Sequence, residues 1–301
     1  MVIKLDNIIN VKGNTYCIDT GMSYIPFYKI NSNEIVMLDT GLQKNERELI
    51  DAFIDSNNFK VVGIINSHAH MDHIGNNSYL KDKFNCVIAM PNYESIICSS
   101  AANLKVYYAS YALKDIKKKF GHMICQTDIR IYENDTEIEI CNTKFKIIHT
   151  PGHSPAHICI VTPDNVAYLG DALVSYELMN GAKMPYAYIL SEDMKSKAKL
   201  YDLNYDKYIV SHKGIYDNIK KLIDDNIDFY ENRSNVIRGF INEPMTMEEI
   251  LKVACHEFEI NIYDIKKYNM MSMMLKSYID YLYEIGKLKA IIEDGLIKYT
   301  K

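Results

Sequence analysis

The feature that most constrains this 301-residue chain is Ser67-His68-Ala69-His70-Met71-Asp72-His73-Ile74-Gly75, which places four metal-capable side chains within six residues. Val61 to Ile65, just before it, is a short β-branched run suited to a buried strand, so His68 is expected just beyond a strand end. His68 and His70, two apart in an extended segment, can aim both imidazoles at one ion, while Asp72 and His73 turn toward a second. Imidazole nitrogen and carboxylate oxygen are the usual ligands of Zn²⁺, and Fe or Mn accept the same mixture. The stretch suggests two sites, and ligand type alone leaves the metal open; two divalent metal ions per chain are expected, Zn²⁺ first, with Fe or Mn as alternatives.

The same placement recurs along the chain. Ile35 to Leu38 reads as a strand running into Asp39-Thr40-Gly41, followed by helical spacing from Glu46 to Phe53. Asp39 at that junction is read as a structural cap that braces the neighbouring loop. Residues 1–40 otherwise alternate in short bursts, giving strands and turns with breaks at Lys12-Gly13-Asn14 and at Pro26. After His73 come a helix and the strand Cys86–Met90, an alternation that implies α/β layering with sites at the carboxyl ends of strands. Asn92 to Phe120 is a helical stretch carrying Tyr107, Tyr108 and Tyr111, either an inserted lid or a helix whose tyrosines pack on the body. Short strands between Ile129 and Ile148 lead to Thr150-Pro151-Gly152-His153-Ser154, where the loop frees the His153 ring; His149 and His157 fit packing positions. A hairpin ends in Gly170-Asp171, and Asp171 there can bridge two ions or, alternatively, cap a helix. Tyr208–Val210 then delivers His212.

The chain is long enough for one large domain, or for about 200 residues with a smaller unit attached. A hydrophobic fraction of 48% allows a sizeable core, and a net charge of −5 offers no global attraction to nucleic acid or anionic membrane. Seven scattered cysteines, without a Cys-x-x-Cys pair, suit a reduced cytosol. With no leader-like N-terminus and no run of 18 apolar residues, the expectation is a cytoplasmic protein without a membrane partner.

Leu38-Asp39-Thr40-Gly41, His68-x-His70-x-Asp72-His73, Pro151-Gly152-His153-Ser154, Gly170-Asp171 and Ser211-His212-Lys213-Gly214 resemble, in order and spacing, the metallo-β-lactamase superfamily. The resemblance implies an α/β (α+β) fold, a four-layer αββα sandwich over residues 1–218 with a dinuclear metal site at one edge. It implies that His68, His70 and His153 hold the first ion, that Asp72, His73 and His212 hold the second, and that Asp171 bridges them. The set is closer to glyoxalase II than to the antibiotic-cleaving members, which commonly lack the histidine at the position of His73 and the bridging aspartate. Lys213, where glycine is common, is read as solvated.

Residues 219–242 read as a connecting helix, and residues 243–301 as a small C-terminal unit. Thr246-Met247-Glu248-Glu249 fits a capping box, Met270 to Ile285 is helical, and Asp294-Gly295 turns a hairpin. Helix, helix, hairpin resembles a winged helix, as in relatives of the β-lactamase-like protein 2 type, which include RNA-cleaving members. Ten acids against eight lysines, with no arginine, leave 243–301 at −2, the wrong sign for phosphate binding. Packing, substrate shaping or a homo-oligomer contact is the expected role.

The leading expectation is a metal-dependent hydrolase in which hydroxide attacks a thioester, a lactone or another small ester, with Asp72 orienting it or shuttling its proton. A metal-dependent ribonuclease or phosphodiesterase is second, with RNA as the partner. A non-hydrolytic metal sensor or di-iron protein is third.

Overall fold

The computed structural model describes residues 7–301; the first part of the N-terminal strand reading, residues 1–6, lies outside them. Two sheets lie face to face. The first has seven strands in sequential order: β1 (Ile8–Lys12), β2 (Thr15–Asp19), β3 (Tyr24–Lys29), β4 (Glu34–Leu38), β5 (Lys60–Ile65), β6 (Val87–Pro91) and β7 (Ile129–Ile131). Its β1–β4 part is antiparallel and its β4–β7 part parallel. The second has six: β8 (Glu137–Ile140), β9 (Thr143–His149), β10 (Ile158–Val161), β11 (Val166–Tyr168), β12 (Lys207–Val210) and β13 (Gly214–Tyr216). Only its β11–β12 pair is parallel.

The period-two patterning of the strands decides what each sheet face buries. Val36, Leu38, Ile65 and Ala89 point inward to meet Phe145, Ile147, Ile158, Ile160, Tyr168 and Ile209 of the other sheet. Their neighbours Ile35 and Met37 point outward onto Leu49, Ile50 and Phe53 of α1 (Gln43–Ser56) and Leu80 of α2 (Asn77–Phe84). On the far side, Cys159, Val161, Ala167, Tyr208 and Val210 pack against Leu222 and Ile223 of α8 (Lys220–Phe240). These are the four αββα layers. Each Val, Leu, Ile, Phe or Met side chain so buried contributes about 1.5–3 kcal/mol.

Two local expectations are corrected. Pro26 is not a break: it sits inside β3, opposite Cys17. The N–H of Tyr24, of the same strand parity, points to Ser211 O at 2.7 Å, away from β2. Pro26 faces the same way, short of the β3–β4 pairing that begins at Phe27, so its missing donor breaks no ladder bond. The stretch from Asn92 to Phe120 is three helices, α3 (Asn92–Ile97), α4 (Ala101–Tyr107) and α5 (Leu113–Phe120). Ser100 starts α4 by accepting the Asn103 N–H at 3.1 Å, which ends the run that tyrosine spacing alone cannot divide. Tyr107, Tyr108 and Tyr111 are buried in one cluster with Leu104, Ile116 and Phe120.

Beyond α6 (Tyr176–Gly181), α7 (Leu190–Lys199) and α8 come α9 (Met247–Glu257), α10 (Ile265–Glu284) and the hairpin β14 (Lys289–Glu293) with β15 (Leu296–Thr300). The capping box at Thr246 forms, with Glu249 Oε2 accepting the Thr246 N–H at 2.7 Å. α10 starts five residues before Met270, because Asp264 caps it by accepting the Lys267 N–H at 2.7 Å. Ile237, Ile250, Leu275, Tyr278 and Ile279 share one core with Met184, Ala187 and Leu190. Tyr278 and Tyr230 donate to Pro185 O and Tyr186 O at 2.9 and 3.0 Å, pinning the loop before α7. Among the described residues, no helix is long and apolar enough to cross a membrane.

Candidate metal centre

Strand ends bring the predicted residues together. β5 delivers His68, His70, Asp72 and His73, the loop after β9 delivers His153, β11 leads to Asp171 and β12 to His212. His68, His70 and His153 form one group with ligand atoms within 4.8 Å of one another, and Asp72, His73 and His212 form another. His68, His73 and Asp171 make a third, joining the two.

Hydrogen bonds on the outer nitrogens turn the inner ones toward the cluster. Ser67 donates its hydroxyl to Asp39 Oδ2 at 2.6 Å, so its oxygen is left to accept from His68 Nδ1 at 3.0 Å. His73 Nδ1 donates to the same carboxylate oxygen at 2.8 Å. Both rings are thereby held with Nε2 bare and facing inward, the arrangement that fixes a ligating imidazole. His70 is turned the other way, its Nε2 meeting the Tyr107 hydroxyl at 3.1 Å while its Nδ1 lies 2.9 Å from His68 Nε2 and 3.0 Å from His153 Nε2. Asp171 lies between the groups: Oδ2 is 3.2 Å from His153 Nε2 and 3.4 Å from His212 Nε2, and Oδ1 is 3.4 Å from His73 Nε2.

This donor set fits divalent cations. Ligands about 2.0–2.1 Å from Zn²⁺ in tetrahedral array stand about 3.3 Å apart, close to these separations. His73 Nε2 is buried and makes no hydrogen bond, a costly state that a coordinated cation would relieve. Burial, reinforced by the neighbouring histidines, holds His68 well below its ordinary pKa and lowers His70 to about 3, so both present the neutral form that ligates. In the other half, Asp171 raises His212 to about 9 against the effect of burial. At His73 burial opposes charge, but Asp171, Asp39 and Asp72 outweigh it and raise the pKa well above the usual value. This half demands positive charge, which a metal ion supplies as well as protons do.

His157 and His149, read as packing residues or as supports behind the ligands, have hydrogen-bond partners of their own. His157 accepts the Asp171 N–H at Nε2, 3.1 Å away, and its Nδ1 meets Thr150 Oγ1 at 2.8 Å, so both nitrogens are occupied. His149 Nε2 bonds Asp135 O at 2.9 Å. Asp39 does not cap a helix, since α1 begins at Gln43 without a side-chain cap, but it does brace the neighbouring loop, accepting from Ser67 and also from Tyr168 and His73 beneath the cluster. Gly152, at φ +133°, has no room for a side chain, since a Cβ would stand 2.1 Å from Asp193 N at the start of α7. That close approach seats the His153 loop.

One residue escaped the sequence reading. Glu94 of α3 is buried and accepts from Ala69 N at 3.0 Å, Ser154 Oγ at 2.6 Å and Ala156 N at 2.8 Å, tying the loops on either side of His70 and His153. Burial pushes its carboxyl pKa up, against the pull of those three donors. Glu94→Ala is expected to lower stability by about 2–4 kcal/mol, leaving buried donors unpaired, and to weaken metal retention about tenfold. Thermal melts and a chelator competition measure the two effects.

A seven-plus-six-stranded αββα sandwich carrying a histidine and aspartate cluster at one edge defines a class of metal-dependent hydrolases. The chain belongs to the metallo-beta-lactamase superfamily, which its residues 18–212 match. It is 24% identical over 264 residues to a hydroxyacylglutathione hydrolase of Pelagibacter ubique, covering 83% of this chain and 96% of that one. It is 22% identical over 291 residues to the beta-lactamase-like protein 2 homolog of Drosophila melanogaster, covering 90% and 79%. Among solved structures, a beta-lactamase domain protein from Burkholderia ambifaria superposes with a TM-score of 0.70 at 16% identity, over 100% of this chain and 95% of that one. A metallo-beta-lactamase family protein from Thermus thermophilus superposes at 0.68 and 14%, over 93% of each. The likeness to the solved structures thus extends through the C-terminal helices.

Proposed function

We propose that this hydrolase cleaves thioesters, or other small carboxylic esters, at a dinuclear centre held by His68, His70 and His153 on one side and Asp72, His73 and His212 on the other, bridged by Asp171. The observation that carries this reading is the placement of Asp171, with one oxygen between His153 and His212 and the other facing His73. Zn²⁺ is the first candidate for both positions, since nitrogen ligands outnumber oxygen ligands five to two in this set. Bound there, two divalent ions acidify water and polarise a carbonyl oxygen.

The chain's own groups supply the rest. Asp72 Oδ2 lies 3.5 Å from His212 Nε2 and lines the cavity, so it is placed to hold a proton released at the centre. Tyr107 steadies His70 by accepting from its Nε2–H at 3.1 Å, which leaves Nδ1 to face the centre, and burial raises its phenol well above the ordinary range, so it stays protonated. Tyr186, its ring 5.4 Å from His70 and 5.6 Å from His153, walls the site against bulk water. The name borne by the Pelagibacter relative supports a thioester substrate. All seven cysteines are free thiols, which supports a cytoplasmic setting.

The test is a panel of thioesters, lactones and single-stranded RNA given to protein loaded with Zn²⁺, Mn²⁺ or Fe²⁺. Thioester cleavage is expected, abolished by chelation and restored by re-addition of metal. Cleavage of RNA alone would overturn the proposal.

A further inference from the structure

A cavity of about 650 Å³ opens onto the candidate metal centre, with His70, Asp72, His153, Asp171 and His212 forming one end of it. Away from that end its walls are apolar, and six of the chain's 15 methionines line it: Met71, Met184, Met270, Met271, Met273 and Met274. Four of the six come from α10, so the C-terminal unit supplies much of the wall. Leu173, Val174 and Met184 are buried there, whereas Lys183, Glu259, Asn261, Tyr263 and Lys266 are exposed and mark the mouth. Polar groups thus gather at the reacting end and at the mouth.

This distribution selects the substrate. A hydrophilic acyl group along the methionines would lose its water without gaining hydrogen bonds, a cost of about 1–3 kcal/mol for each polar group. An aliphatic chain loses nothing by the same transfer. Thioether side chains are unbranched and polarisable, and they adapt to a flexible hydrocarbon better than branched residues do. A volume of this size is typical of small-molecule chambers and exceeds what a short acyl group fills.

We infer, on the strength of the hydrolase reading above, that the acyl half of the substrate is an unbranched aliphatic chain of medium to long length lying along the α10 methionines. The leaving thiol or alcohol faces the mouth, where Lys266 and Lys267 favour an anionic carrier while Lys183 is paired with Glu259 at 3.9 Å. Hydrolysis splits the acyl–sulfur or acyl–oxygen bond with one water, whose oxygen joins the acyl carbon; the fatty carboxylate is left in the chamber, one proton goes to the leaving group, and the other is released with it to solvent.

The test uses thioesters of a single small thiol, N-acetylcysteamine, with acetyl, butanoyl, hexanoyl, octanoyl, decanoyl and dodecanoyl groups, on the metal-loaded full chain. We expect kcat/KM to climb about three- to fourfold per added methylene until the chamber is full. Replacing Met270 and Met274 together by serine should flatten that climb, and Ala182→Phe, at a half-buried lining position, should move the optimum to shorter chains. Calorimetry should show dodecanoate binding more tightly than butanoate, with the difference reduced by the same variants. Cleavage that is flat or falling with acyl length overturns the inference while leaving the hydrolase reading intact, as does a climb seen only when the thiol side is lengthened. If no ester or thioester is cleaved but dodecanoate binding still depends on Met270 and Met274, the chamber stands and the hydrolase reading falls.

Discussion

Asp171→Ala is expected to lower hydrolysis at least about a thousandfold and to cut the metal content from two ions per chain to one or fewer. The size of the effect follows from how many partners share this one carboxylate. Oδ2 stands 3.2 Å from His153 and 3.4 Å from His212, and Oδ1 stands 3.4 Å from His73 while accepting from Ser211 at 2.6 Å. Burial opposes its charge, but His212, His73 and His153 hold the carboxyl well below the usual range, so it presents a full negative charge to both halves. Removing it subtracts a ligand from each proposed ion and half the site's carboxylate complement. Asp171→Asn separates the roles, since the amide keeps the volume and one acceptor oxygen but not the charge. Its expected loss lies between that of the alanine variant and wild type, with one weakly held ion. Native mass spectrometry counts the ions and near-UV circular dichroism checks the fold. An alanine variant that keeps two ions and wild-type turnover would remove Asp171 from the proposed centre.

The parts of this site that were legible in the sequence share a physical property: their chemistry is local. His68 to His73 crowd four candidate ligands of two types into six positions, and each of the remaining candidates follows a strand whose apolar run announces its end. The sandwich itself followed from the family resemblance, since β4, β10 and β12 are nearly unbroken apolar runs, buried on both faces, whose two sets of side chains meet the other sheet and a helix. What was hidden depends on contacts between distant segments. Glu94 looks like any helix surface carboxylate until α3 packs between two ligand loops. Asp39 sits where a cap belongs, yet its five bonding partners come from Asn66, Ser67, His73 and Tyr168. The methionines of α10 read as ordinary core spacing, and only the docking of that helix beside the ligand loops makes some of them a chamber wall. For the C-terminal unit the helix–helix–hairpin order was expected, with packing, substrate shaping or a homo-oligomer contact as its role, but nothing in its composition told which of its faces would meet the cavity.

Asp39→Ala should prove the more damaging change to the folded state, although its carboxylate lies outside the proposed ligand set. The carboxylate is buried and accepts the Ser67 N–H at 2.8 Å, the Ser67 hydroxyl at 2.6 Å, the Tyr168 hydroxyl at 2.7 Å and His73 Nδ1 at 2.8 Å. An alanine leaves these donors facing a void, and breaking a buried network of this kind costs about 3–5 kcal/mol. The backbone adds to the loss, because residue 39 adopts φ 65°, which aspartate and asparagine tolerate and alanine does so only at about 1–2 kcal/mol. The same bonds hold the His68 and His73 rings with Nε2 inward, so surviving protein should bind metal 10- to 100-fold more weakly. Asp39→Asn keeps the backbone conformation and one acceptor oxygen but turns an amide donor toward other donors, so its stability should fall between the two. Urea titration gives the stability differences, and competition with a chromogenic chelator gives the affinities. A merely structural Asp39 would lower stability and leave the affinity of the folded fraction unchanged. An orienting Asp39 lowers both, and the asparagine variant distinguishes them because it largely folds while still misdirecting the His73 ring.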